Sequence, residues 1–188
     1  SVREVLFLGD QRDAIRTRLI EPETRIVSLT ITEKGYCHDP ATGKLNPAHP
    51  DIAHDLAHPD QPKSAIGLIA HALDARRLSH GKAFTVLCCD NLPHNGHTVE
   101  GLVRAFVEAR DPSLLPWMDD HVTFPDTLVD RIVPATTADD IAEASRLLGL
   151  TAGRPVCAEP FGPVVLGHLL SGPHPAWSSA APAFATDP

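Results

Sequence analysis

Residues Phe84–Gly96 read FTVLCCDNLPHNG, an apolar, β-branched run that stops on Asp90-Asn91 and opens into a Pro/Asn/Gly turn. A short run of this kind, bounded by turn formers, reads as a buried strand. In an open α/β sheet, ligands bind just beyond the carboxyl ends of the strands. Asp90, Asn91 and Asn95 therefore stand where such a fold carries its chemistry.

Upstream, Arg3–Leu8 and Arg25–Thr32 read as strands, with Gln11–Ile20 a helix between them. The second of these, RIVSLTIT, runs into Glu33-Lys34-Gly35, again polar groups at a strand's end. Tyr36–Gln61 is polar and rich in His, Pro and Asp, and is expected to be a long loop, either functional or plain surface. A helix begins at Pro62, with Ile66, Ile69, Ala70 and Leu73 at helical spacing and Gly81 as its stop. Downstream of the opening strand, a helix over His97–Arg110 presents Val99, Leu102, Val103, Phe106 and Val107 as a core stripe. A short strand is expected at His121–Phe124, then a helix over Thr137–Leu148 capped by Thr137 and closed by Gly149, and a strand at Pro155–Ala158. Strands alternating with helices of this length imply an α/β fold with a mainly parallel sheet flanked by helices. From Gly162 the chain is rich in Pro, Ala and Ser with little charge, so it divides into a domain over 1–161 and a weakly ordered tail over 162–188.

Composition narrows the function. With 188 residues and a net charge of -8, the chain has room for one core and no basic stripe to neutralise phosphates, which argues against a nucleic-acid partner. No apolar run approaches the roughly 18 residues that a membrane helix needs, and no signal-peptide pattern opens the chain. Cys88 and Cys89 are neighbours on a strand and point to opposite faces, which suits free thiols in a reducing cytoplasm better than a disulfide framework. A glycine-rich dinucleotide turn, a Walker-type loop and a Gly-x-Ser-x-Gly elbow are all missing.

Eleven histidines raise the question of metal. His94 and His97 are three apart, but His94 precedes the helix, so the pair lacks the fixed shared face of a zinc helix, and Cys37-His38 sits in the long loop. Solvent-facing histidines and no metal site are expected. Ser28 and Ser64 lack any triad motif. Glu33, Asp90 and Asp130 all fall at or near strand ends, and Asn91 offers an amide donor for a developing oxyanion. Turn-forming Asn and Asp would explain the same residues. On the residues alone both readings stand.

Val122–Pro134, VTFPDTLVDRIVP, resembles the signature of the mannitol dehydrogenase family of long-chain polyol dehydrogenases. Phe124, Thr127, Val129-Asp130-Arg131-Ile132 and Pro134 keep the family's spacing. SLTITEKGY from Ser28, the helix opening Pro62-Lys63-Ser64, CDNLPHNG from Cys89 and Glu159-Pro160-Phe161 follow in the family's order, so the resemblance covers about residues 3–161. It implies that the α/β sheet is an incomplete Rossmann-like one, and a metal-independent oxidation of a sugar alcohol or sugar acid with NAD or NADP, in which hydride leaves a secondary alcohol carbon and a lysine takes the hydroxyl proton. By resemblance, Asn91 donates to the substrate oxygen as half of an oxyanion hole. Glu33 sits by the water path that carries the proton away, and Asp130 tunes the charge near the lysine.

The chain also departs from the family. The family's glycine-rich turn and the acidic residue that separates NAD from NADP precede the matching part. Its Lys-x-x-x-x-Asn-x-x-His run has no counterpart, the last lysine here being Lys82, and Gly162-Pro163-Val164 replaces an Arg-Gln-Trp type segment. The expectation is an oxidoreductase polypeptide, inactive by itself, whose partner is a small polyol or sugar acid. The alternative is a non-catalytic remnant acting as an interaction module. Oligomeric state is left open.

Overall fold

The computed structural model describes residues 2–129, 135–151, 153 and 155–156, together with the backbone of two short strands further on. In chain order the elements are α1 (Arg12–Ile20), β1 (Ile26–Leu29), α2 (Thr32–Gly35), α3 (Pro50–Ala57), α4 (Ala65–Ser79), β2 (Thr85–Cys88), α5 (Asn95–Arg110), α6 (Leu115–His121), β3 (Thr127–Val129), α7 (Ala138–Leu148), β4 (Val164–Gly167) and β5 (Ala183–Ala185).

β1 and β2 pair in parallel, with Ile26 opposite Thr85 and Leu29 opposite Cys88. Parallel neighbours need a crossover between them, and α3 and α4 supply it. On the other side of β2 the chain returns after α5 and α6. There Thr123 bridges to Thr85 in the parallel sense, and Val86 N–H donates to the Thr123 carbonyl at 3.0 Å. β3 pairs antiparallel with β4, which runs parallel to β5.

Every residue of β2 is buried, as a continuous apolar run requires in a parallel sheet covered by helices. α4 and α5 pack on each other and enclose Ile66, Ile69, Leu73, Phe84, Val86, Val99, Leu102, Val103 and Phe106 in one core. The predicted α5 stripe is buried throughout. Arg76 is also fully buried in α4. Its guanidinium donates to the carbonyls of Glu21 and Thr24 and lies 5.0 Å over the Phe84 ring, so the charge is hydrogen-bonded rather than stranded.

Four local expectations are corrected, the last of them in its described part. Arg3–Leu8 forms no strand: a strand needs a ladder partner, none lies beside it among the described residues, and Val5 and Phe7 are exposed. The 36–61 loop contains α3, because His49 caps the helix by accepting from Asp51 N–H and Pro50 takes the first turn, where no N–H is missed. His121–Phe124 makes only the single bridge at Thr123; its first residue ends α6, and the regular strand starts later, at Thr127. Pro155 and Val156 are not in a strand, and the rest of that expected strand, with Cys157, lies outside the described residues. Gly81 and Gly149 both adopt positive φ at helix ends, as the stop signals implied. β4 and β5 fall within 162–188.

Candidate active site at the ends of the parallel strands

Asp90 holds the edge together. It lies two positions past β2, after Cys89, and its carboxylate accepts from the backbone N–H of Ile31 at 2.8 Å and of Thr32 at 3.2 Å, both just past the end of β1. The Tyr36 hydroxyl donates to the same carboxylate at 2.5 Å and lies 3.0 Å from Cys88 Sγ. Burial and then the bond to Asp90 push the Tyr36 phenol far above its ordinary range, so it stays a donor. Burial likewise raises the Cys88 and Cys89 thiols, which favours their protonated form. One carboxylate thus fastens the end of β1, the turn of α2 and the end of β2 to one another.

The turn after β2 is fixed just as firmly on its other side. Asn95 is buried; its amide donates to the Thr127 hydroxyl at 2.9 Å and the Asp90 carbonyl at 3.2 Å, and its oxygen accepts from Thr127 N–H at 2.9 Å. Thr127 in turn donates to the Cys88 carbonyl at 2.6 Å. At Gly96 a methyl group would collide with the carbonyl oxygens of Phe124 and Pro125, so only glycine lets α5 start this close to the next strand. Asp126 reaches across to accept from Gly96 N–H at 2.6 Å and from His97 Nδ1 at 3.0 Å. Burial pushes the Asp126 carboxyl up, but the His97 and backbone hydrogen bonds outweigh it and the net shift is downward.

Within this rigid frame Asn91 is exposed. It lines an open cleft of about 530 Å³ with His94, Asn95, Asp126 and Leu128. Glu33, on α2, is also exposed, and its carboxylate lies 3.9 Å from His38 Nε2. The other nitrogen of His38, Nδ1, is buried without a hydrogen-bond partner among the described residues. Asp130 lies outside the described residues, one position beyond β3. Thr32 at the start of α2, Cys37 just after α2 and His94 just before α5 adopt positive φ although none is glycine, a kind of backbone strain that commonly collects around functional sites.

Of the residues singled out from sequence, Asp90 and Asn95 are fully occupied in holding the backbone. Asn91 and Glu33 are left facing solvent at the same edge. Tyr36 and Thr127 stood in the motifs quoted from sequence without a role of their own; only the packed sheet brings them to Asp90 and Asn95. His94 and His97 share Asp126 as a partner. Cys37 meets His49 and Asp51 instead of His38.

A strand–helix–strand unit with its polar loops at the carboxyl edge is that of a Rossmann-type dehydrogenase domain. The sequence pattern of the mannitol dehydrogenase Rossmann domain matches residues 1–179, and the chain belongs to that family. It is 44% identical over 178 residues to the D-mannonate oxidoreductase of Escherichia coli, covering 95% of this chain and 37% of that protein. Mannitol 2-dehydrogenase of Pyricularia oryzae is 40% identical over 163 residues, covering 86% of this chain and 32% of that one. Among solved structures, the Pseudomonas fluorescens mannitol 2-dehydrogenase in ternary complex with NAD and D-mannitol superposes with a TM-score of 0.84 at 41% identity, over all of this chain and 38% of that one. A D-sorbitol dehydrogenase in substrate-free form gives 0.86 at 34% identity, over 99% of this chain and 38% of that one. The chain therefore spans little more than a third of the length of these relatives.

Proposed function

We propose that this chain supplies the substrate-oxygen side of an NAD- or NADP-dependent oxidoreductase acting on a polyol or sugar acid. The observation that carries the reading is the Asp90 clasp, which fixes two strand ends as one edge and leaves Asn91 and Glu33 exposed on it. NAD(P), when bound, accepts the hydride from the secondary alcohol carbon. The described residues suit the reacting end of that cofactor rather than its pyrophosphate. No glycine-rich strand-to-helix turn occurs among them, whereas exposed Thr32 and Asn91 flank the open edge where the nicotinamide end would be held.

In this reading the Asn91 carboxamide N–H donates to the substrate oxygen as the alcohol becomes a carbonyl. A donor held ready for developing charge is worth about 10²–10³ in rate. Glu33, with an exposed carboxylate, passes the released proton towards water, and Asp130 tunes charge near the base. The base itself, a lysine by family resemblance, is assigned to a helical domain of the relatives that this chain does not match. Assaying the chain with NAD and mannitol, arabinitol or mannonate, by itself and joined to such a domain, tests the assignment. The chain by itself should stay well below ordinary turnover of about 1 s⁻¹, and the joined protein should turn over and lose about 10²–10³-fold in kcat/KM on Asn91→Ala. Ordinary turnover by the chain alone, or an Asn91→Ala variant as active as its parent, contradicts it.

A further inference from the structure

We propose that Cys37, His49 and Asp51 form a binding site for a zinc-class divalent cation, separate in role from hydride transfer. Three different donors converge there: the thiol sulfur, an imidazole nitrogen and a carboxylate oxygen all lie within 4.8 Å of one another. His49 Nδ1 stands 4.0 Å from Asp51 Oδ2. It carries a lone pair, since it accepts from Asp51 N–H over a long 3.3 Å, and ligation would take that lone pair over. In a tetrahedral zinc site, bond lengths of about 2.0–2.3 Å set donors roughly 3.3–3.7 Å apart. The remaining gap is of the order a side-chain rotation covers, and half-exposed Asp51 is free to make one.

The backbone already brings the two ends together. Cys37 follows α2, His49 precedes α3, and the chain between them is closed by Asn46 N–H on the Cys37 carbonyl at 3.1 Å, by the His38–Leu45 bridge and by Asp39 N–H on the Lys44 carbonyl at 2.8 Å. Little loop entropy is left to lose on ligation. Burial first, and then Asp51 and Asp55, push the Cys37 thiol up, so an incoming cation has to displace its proton. Asp55 itself is engaged by Lys63 N–H, Ser64 N–H and the Ser64 hydroxyl and stays out of the ligand set.

The donor chemistry selects the ion. A thiolate with an imidazole suits zinc and excludes magnesium and calcium, which prefer all-oxygen shells. Cys37 is buried while His49 and Asp51 are partly exposed, so water can complete the fourth position. On binding, the Cys37 S–H bond breaks, the sulfur–metal bond forms, and one proton goes to solvent. The ion would pin the end of α2, which carries Glu33, to the start of α3.

The test uses the whole chain with metal alone. Titration with Co²⁺ is followed by its near-ultraviolet thiolate charge-transfer band, and Zn²⁺ binding by calorimetry in two buffers to count released protons. The expected result is one equivalent bound with a charge-transfer band and net proton release. Cys37→Ser should abolish the band. His49→Asn, which retains a good helix cap, should weaken Zn²⁺ binding at least about tenfold. Cys89→Ser should change neither. No band in the wild-type chain, or a band that survives Cys37→Ser, overturns the proposal; should Cys37→Ser fail to fold, unaltered affinity in His49→Asn does so.

Discussion

Helices α5 and α7 began with equally clear sequence signals and ended in different situations. α5 buries Val99, Leu102, Val103, Phe106 and Val107 and starts against the backbone of the next strand. α7 has the better local punctuation: Thr137 and Asp140 form a reciprocal capping box, and Gly149 closes the helix in the left-handed region. Yet α7 buries no residue, and Leu147 and Leu148 remain exposed. Capping and periodicity are enough to make a helix. Only a partner surface makes it part of a core, and most helical stability in proteins comes from that packing.

The contrast can be broken by substitution. Phe106→Ala, in the core at 1% exposure, should cost about 3–5 kcal/mol in urea unfolding, from lost burial plus the cavity left behind. Gly96→Ala should follow at about 1–3 kcal/mol, because the added methyl meets two backbone carbonyls that cannot rotate away. Should Gly96→Ala prove neutral, the close approach of α5 to Phe124 and Pro125 is wrong. Thr137→Ala removes the capping box and should cost about 1 kcal/mol of local helix stability. Amide exchange along 138–148 should quicken, while the exchange of α5 stays as it was. Leu148→Ala should fall within about 0.5 kcal/mol, as exposed substitutions do. A loss of several kcal/mol there would reveal that α7 has a partner.

Acid sharpens the same comparison at the α5 end. The folded-state pKa of Asp126 lies below its unfolded value, so its stabilising contribution is complete above about pH 3.9 and is lost as pH falls through the folded value. His71 points the other way in charge. Burial and then Arg16 hold its pKa below the usual histidine value, so the folded state prefers it neutral and stability declines as pH drops below about 6.5. The unfolding midpoint should therefore fall in two stages on acidification, with His71→Gln removing the first and Asp126→Asn the second.

Much of this was legible from residues in order. The strand ending at Asp90, the α4 and α5 stripes and the Thr137 cap are local or periodic patterns, and each reappears as read. α3 was hidden because its start depends on an unusual cap, His49 before Pro50, inside a stretch whose polarity suggested loop. The strand expected at Arg3–Leu8 has the right composition but no ladder partner among the described residues, and composition alone does not supply one. From the residues alone Asp90 could be a carboxylate for chemistry or a turn former, and in the structure its carboxylate clasps the two strand ends. Its three donors, at Ile31, Thr32 and Tyr36, are more than fifty positions away in the chain, a distance no local pattern spans.

The central claim is that Asp90 fastens the ends of β1 and β2 into one edge on which Asn91 and Glu33 stand. Amide hydrogen exchange at Ile31 and Thr32, compared between the wild-type chain and Asp90→Ala, tests it most directly. Both N–H groups should be protected in the wild type and lose that protection in the variant while the α5 core amides remain slow. Equal exchange at Ile31 and Thr32 in the two proteins would contradict the account.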